Sequence, residues 1–180
     1  MYYVVYYNEE DKRYEAWLVL SEYYYSAFEE VGYYPLYMIP ENAFKLFIKK
    51  YADLVKESPT WGDQLYEIKR IPSDINQYGL VVPKEFDWIE MLRNNIGSVI
   101  VVGKLHHMMG RRRGYYRIRY ERIYVVNKAM INEATKRELE SFEKEMDIVF
   151  IPPILAKTLI KDIRSDNLID YGNIIILTSH

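Results

Sequence analysis

The sequence predicts a single globular domain of mixed α/β (α+β) class, covering residues 1–180, with β-Pro-α-Gly-β units and a projecting basic β-hairpin. Three observations predict this fold. Residues at the start of the chain alternate in a strand-like pattern, a strand–proline–helix–glycine–strand pattern recurs three times, and residues 98–126 are typical of a long hairpin. With 180 residues and 49% hydrophobic content, the chain is long enough to bury a core.

The first predicted elements are two strands and a short helix. Residues 1–7 and 14–20 alternate as strands do, and a polar turn at residues 8–11 joins them. A helix is expected from Ser21 to Gly32, because serine is a good N-cap and glycine adopts the left-handed conformation that ends many helices.

The recurring pattern predicts three strand–helix–strand units. The copies comprise strands at 36–40, 80–83 and 149–153, helices reaching about Glu57, Asn95 and Arg164, and strands at 62–68, 97–102 and 172–177. Apolar residues at helical spacing favour these helices: Phe44, Phe47, Ile48, Tyr51, Leu54 and Val55; Phe86, Ile89, Leu92 and Ile96; Leu155, Leu159 and Ile163. The continuous apolar runs 99–102 and 174–177 indicate strands covered on both faces.

The second unit, LVVPKEF…GSVIVV, resembles the strand-Pro-helix-Gly-strand element of swapped-hairpin and double-psi barrel proteins. In those families a short helix separates the proline from the glycine, and here the spacing is longer in every copy. The resemblance implies an alternative architecture, a double-psi or swapped-hairpin-like barrel with inserted helices.

Between the second and third units lie the long hairpin, as a possible insertion, and a charged helix. The helix is predicted from about Glu133 to Met146, with a narrow apolar seam of Leu139, Phe142 and Met146, so we expect it at the surface. The hairpin segment 104–128 contains eight basic residues and one acid, Glu121, for a net charge of +7. Because the whole chain carries −2, the remaining residues sum to −9.

The basic hairpin is the main functional candidate. Strand alternation predicts that Arg117 and Arg119 share one face, with Tyr116, Ile118 and Tyr120 on the other. Guanidinium groups match phosphate geometry, and an aromatic ring on the arginine face can stack on a base. The predicted contacts to DNA or RNA are Lys104, Arg111, Arg112, Arg113, Tyr115, Arg117 and Arg119. The alternatives are contact with an acidic protein partner, a homo-oligomer contact, and a solvated hairpin tip.

His106 and His107 adjoin the basic segment. A histidine among arginines can act as a general acid or base in RNA cleavage. Neighbouring residues on a strand point to opposite faces, so at most one of the two serves a given site. No H-x-H or H-x-x-x-H spacing accompanies them, and we predict no metal site here.

Asp63, Glu67 and Lys69 suggest a second function. An acid-x-Lys strand with another acid nearby is the metal-binding core of restriction-type nucleases, in which carboxylates hold a divalent ion. The alternative is therefore a metal-dependent nuclease. Asp63 lies only four residues before Glu67, and no Pro-Asp pair precedes the motif.

Several classes of function are excluded or disfavoured. With no cysteine, disulfides and thiolate chemistry are excluded. The P-loop, G-x-G-x-x-G and G-x-S-x-G signatures are missing, so we expect a non-enzymatic protein with no cofactor.

The longest apolar stretch, 148–156, is interrupted by two prolines and the N-terminus lacks a basic signal-peptide region, so we expect an intracellular protein without membrane contact. The composition resembles that of proteins from hyperthermophilic archaea or their viruses.

Overall fold

The protein folds as a mixed α+β chain of two compact units, residues 1–85 and 86–180. The computed structural model describes residues 2–19, 32–109, 114–164, 169–171 and 174–177, and its side-chain description omits 107–109, 114–116 and everything after 159. Within these ranges there are four helices and two sheets. The predicted fold class is confirmed, whereas the extent of a single domain stays a prediction.

The first unit is a six-stranded antiparallel sheet with one described helix. Its elements are β1 (Tyr2–Asn8), β2 (Arg13–Val19), β3 (Tyr37–Pro40), α1 (Glu41–Lys50), β4 (Val55–Ser58), β5 (Gly62–Ile68) and β6 (Leu80–Val81). The strand order is β4-β5-β2-β1-β3-β6. Helix α1 packs on the sheet through Phe44, whose ring stacks on that of Tyr3 at 4.0 Å. The hairpin predicted from the N-terminal alternation is present as β1 and β2.

Helix α1 is shorter than its apolar spacing predicts. It ends at Lys50, and the amide of Tyr51 closes the last turn by donating to the Phe47 carbonyl at 2.9 Å. The expected continuation to Glu57 is therefore wrong. Val55 begins β4 instead, which pairs with β5 as an antiparallel hairpin. Pairing of this segment within the sheet outweighs a helical periodicity that happens to continue past Tyr51.

The second unit contains a five-stranded sheet and three helices. Its elements are α2 (Trp88–Asn94), β7 (Val99–Met109), β8 (Gly114–Val125), α3 (Glu133–Glu145), β9 (Asp147–Ile151), α4 (Pro153–Arg164), β10 (Ile169–Tyr171) and β11 (Ile174–Leu177). The strand order is β10-β11-β8-β7-β9. Among the described residues both sheets are open, each with two edge strands, so the alternative of a double-psi or swapped-hairpin-like barrel is wrong.

The three predicted strand–helix–strand copies differ in their connections. The first copy contains the extra strand β4, and the second begins in the sheet of the first unit and ends in that of the second. In the third copy, β9 and β11 are parallel and belong to one sheet, with β7 and β8 between them. The helix predicted from Ser21 to Gly32 lies outside the described residues.

Helix α2 starts later than predicted, and its buried residues differ from the predicted stripe. The Asp87 side chain caps it by accepting from the amides of Ile89 at 2.7 Å and Glu90 at 3.2 Å. Phe86 thus precedes the helix and is exposed, as is Ile96 beyond its end. The buried residues of α2 are Trp88, Met91 and Leu92.

The sheet of the second unit is covered at one end and exposed at the other. Ile100 and Val102 of β7 pack against Leu92 of α2 and Leu139 of α3. Val99 and Val101, on the alternate face, are fully buried as well. The prediction that run 99–102 is covered on both faces is confirmed, whereas the side chains of run 174–177 lie outside the description.

The β7–β8 hairpin contains a β-bulge at Gly103. Val102 lies opposite Arg122, but Gly103 lies opposite Tyr120, so Glu121 has no opposite residue. A Cβ atom at Gly103 would overlap the Arg119 carbonyl oxygen and lie 2.9 Å from its carbonyl carbon. Glycine is therefore required by the close approach of the two backbones.

We predict that Gly103→Ala destabilises the protein by about 1–3 kcal/mol, the usual range for overpacking a tight contact. The reason is that the Arg119 and Tyr120 backbone must move to admit the methyl group. Thermal and urea denaturation measure the effect. Lys104→Ala, at the exposed next residue of the same strand, serves as the control, and equal stability of the two variants would contradict the role given to Gly103.

Candidate nucleic-acid interface

Four basic side chains share one exposed face of the β7–β8 hairpin, beyond the covered end of the sheet. Lys104 lies opposite Arg119, and His106 lies opposite Arg117. Directly opposite residues of an antiparallel pair project from the same side of the sheet. All four residues are solvent-exposed. We call Lys104, His106, Arg117 and Arg119 the cationic face.

The cationic face places two like charges, those of Lys104 and Arg119, opposite one another. The Cβ atoms of directly opposite residues are about 4.5–5.5 Å apart, and like charges in such positions destabilise a sheet. In the described part of the chain, no carboxylate lies within ion-pairing distance of Lys104 or Arg119. The Lys104–Arg119 pair is therefore a local concentration of positive charge without a described counter-charge.

Arg122 shows how an arginine on the same face is neutralised. The bulge brings it opposite Val102, and its guanidinium pairs with Glu138 of α3 and lies 5.3 Å from the Phe142 ring centroid. A hydrogen bond to the Tyr124 hydroxyl and the charge of Glu138 raise the pKa of Arg122. Arg122 therefore links α3 to the sheet through an ion pair and a ring contact. Because its charge is paired, we exclude it from the cationic face.

The predicted hairpin projects less than its length implies. β11 pairs with β8 along residues 116–119, and β9 pairs with β7 along residues 99–103. Among the described residues, only 108–109 and 114–115 extend beyond both flanking strands. The cationic face is thus mainly part of a sheet surface, which fixes its side chains more firmly than a free arm does.

Some predicted contacts lie outside the description. Arg111, Arg112 and Arg113 are among the residues left out, as are the side chains of His107 and Tyr115. The backbone of Tyr115 pairs with Met108, two positions from Arg117. The backbone of His107 pairs with Tyr116, in alternation with His106. Of the predicted nucleic-acid contacts, the structure describes Lys104, Arg117 and Arg119 and brings them together with His106.

The acid-x-Lys residues are not assembled as a metal site. Asp63 and Glu67 lie on β5 four residues apart, a separation of about 13 Å along a strand. Glu67 forms an ion pair with Arg13 at 3.0 Å, and Lys69 lies beyond the end of the strand. In the described part of the chain, no three metal-ligating side chains come together. This geometry gives the nuclease alternative no support.

The structure contains one buried carboxylate that the sequence analysis missed. Glu15 on β2 is 3% exposed and accepts hydrogen bonds from Asn8 at 2.8 Å, Tyr6 at 3.1 Å and Arg13 at 3.0 Å. Burial and the neighbouring Glu15 charge raise the pKa of Tyr6 far above its ordinary value. Both oxygens of Glu15 have partners, so this network has a structural role. The alternation of β2 groups Glu15 with Arg13 and gives no signal of its burial, since Glu15 and its neighbour Ala16 are both buried.

The remaining comparisons give no further guide to function. None of the described helices is both long enough and apolar enough to cross a bilayer. Comparison with protein families, curated proteins and solved structures finds nothing that matches the chain. The cationic face therefore stands as the candidate site on its own geometry and charge.

We predict that Glu15 and Glu67 contribute very differently to stability, although both pair with Arg13. Glu15→Ala removes a buried acceptor from the amide of Asn8 and the hydroxyl of Tyr6, a loss of about 1–3 kcal/mol. Glu67→Ala removes a partly exposed ion pair worth about 0–1 kcal/mol. Chemical denaturation of both variants measures the difference, and a Glu67→Ala loss as large as that of Glu15→Ala would show a larger role for Glu67.

Proposed function

We propose that this protein binds DNA or RNA without catalysis, using the cationic face as a contact for the phosphate backbone. The observation that carries this proposal is the exposed pairing of Lys104 with Arg119 across two strands, without a carboxylate from the described residues. A phosphate placed between the two side chains would relieve their repulsion. Binding would therefore be strengthened by the same charges that destabilise the empty face.

The chemistry of the face suits a polyanion. Arg117 and Arg119 are two residues apart on β8, which corresponds to about 7 Å along the strand. The opposite pairs add a second row about 5 Å away. Arginine contacts phosphate with a planar fork of donors, and lysine contacts it as a point charge. Such contacts hold the backbone and carry no base specificity of their own.

Charge alone would favour any anion, and two further features favour a nucleic acid. The face is exposed and lies on a sheet, so it offers no enclosed pocket to a small anion. The sequence continues the positive charge into Arg111, Arg112 and Arg113 at the hairpin tip. Several cations that follow one another in the sequence suit a chain of phosphates better than a single anionic group.

We predict that replacing Lys104 and Arg119 together with alanine weakens binding by about tenfold or more at low salt. Two lost phosphate contacts should also reduce the log–log slope of affinity against salt by about 1.8 on duplex DNA, and by about 1.4 on a single strand. Fluorescence anisotropy with labelled duplex and single-stranded oligonucleotides over a salt series measures both quantities.

The control is Lys45→Ala with Lys49→Ala on α1. It removes the same two positive charges from exposed positions of the first unit. Its affinity and salt slope should stay close to those of the unaltered protein. If both double variants reduce the slope equally, the effect arises from net charge and the cationic face is not the binding site.

A further inference from the structure

The outer edge of β7 is longer than the strand that covers it. β9 pairs with β7 from Val99 to Gly103, and β7 continues to Met109. In the part of the chain that the structure describes, no other strand pairs with this edge beyond Gly103. The inner edge of β7 pairs with β8 over the whole length of the hairpin. The extension therefore presents one open edge.

One hydrogen bond identifies which backbone groups face outward. The Leu105 amide donates to a side-chain oxygen of Asp147 at 2.9 Å, at the point where β9 begins. Backbone groups of successive strand residues point to alternate edges. The Leu105 carbonyl and the amides and carbonyls of His107 and Met109 thus face the same open edge as the Leu105 amide. Such groups form a template for another extended chain.

The charges on the two sides of this edge differ. Lys104 and His106 project from the side that carries the cationic face. Asp147 lies opposite Gly103, and so belongs to the other side. An added strand would thus meet positive charge on one side of the sheet and a carboxylate on the other. The complementary strand carries acidic residues at every second position and uncharged residues between them.

We propose that the open edge of β7 binds an extended acidic segment of a partner protein by strand addition. Backbone hydrogen bonds to His107 and Met109 would hold the segment, and Lys104 and His106 would select its acidic side chains. A second copy of β7 fits less well because it would bring another Lys104 and a second basic tip against the first. The inference goes beyond nucleic-acid binding and does not depend on it.

The test uses a short fluorescein-labelled peptide in which glutamate alternates with valine, followed by fluorescence anisotropy. A peptide of the same composition with its glutamates in one block is the control ligand. The alternating peptide should bind about tenfold more tightly, because only it places acids on one side and aligns its backbone with the edge. Equal affinity for the two peptides would reduce the effect to charge attraction and overturn the proposal.

Two variants at one position test the backbone contact. His107→Pro removes an amide that faces the open edge and leaves the bonds between β7 and β8 in place. His107→Ala keeps the amide and serves as the matched control. Peptide affinity should fall about tenfold in His107→Pro alone, and unchanged affinity would overturn the inference. Oligonucleotide binding by the same two variants reports separately on the proposed function.

A charge reversal covers the case in which His107→Pro does not fold. Lys104→Glu combined with His106→Glu should lose the glutamate–valine peptide and gain a lysine–valine peptide. Retained preference for glutamate would overturn the proposal. Light scattering of the unaltered protein measures its oligomeric state. A stable dimer that excludes the peptide would assign the edge to a second copy of the chain and overturn the proposal.

Discussion

The β-bulge at Gly103 determines which side chains share the cationic face of the second unit. Between the bulge and the hairpin tip, Arg117 lies opposite His106 and Arg119 lies opposite Lys104. On the other side of the bulge, Arg122 lies opposite Val102, so all three arginines project from the same face. In a regular ladder Glu121 would take the place opposite Val102. The bulge thus leaves the one acid of the basic segment unpaired in the ladder and makes one face positive on both sides of Gly103.

Helix α3 covers one end of that face and leaves the other end exposed. The covered end has a structural role, and the exposed end is the candidate binding site. Near the base, Glu138 and Phe142 of α3 contact Arg122, so its exposed charge is paired with a carboxylate of the protein itself. Nearer the tip, Lys104 and Arg119 have no such partner among the described residues and are exposed. The same residue type therefore packs against a helix in one place and is a candidate for ligand contact in another, according to what lies over the sheet.

Sequence patterns predicted the elements whose cause is local. Strand-like runs on either side of a short polar or glycine-containing segment identified the β1–β2 and β7–β8 hairpins. The patterns failed where distant pairing decides the structure: the helix expected up to Glu57 gives way to β4, which pairs with β5. The isolated Gly103 is a known sign of a bulge, but only the close approach of Arg119 shows that it shifts the register. The ion pairs of Glu67 with Arg13 and of Arg122 with Glu138 likewise could not be predicted from a single sequence.

The energetics of like-charge pairing explain why the cationic face is better read as a contact surface than as a solvated one. A protein gains nothing in stability by placing Lys104 opposite Arg119, and a neutral or acidic residue at either position would remove the repulsion. The other sheet shows how an opposite like-charge pair is neutralised from within, since Glu15 lies opposite Glu67 and Arg13 forms ion pairs with both carboxylates. Under the proposed function, a pair of cations held at strand spacing, on a surface stiffened by β11, would be arranged for an anion that arrives from outside.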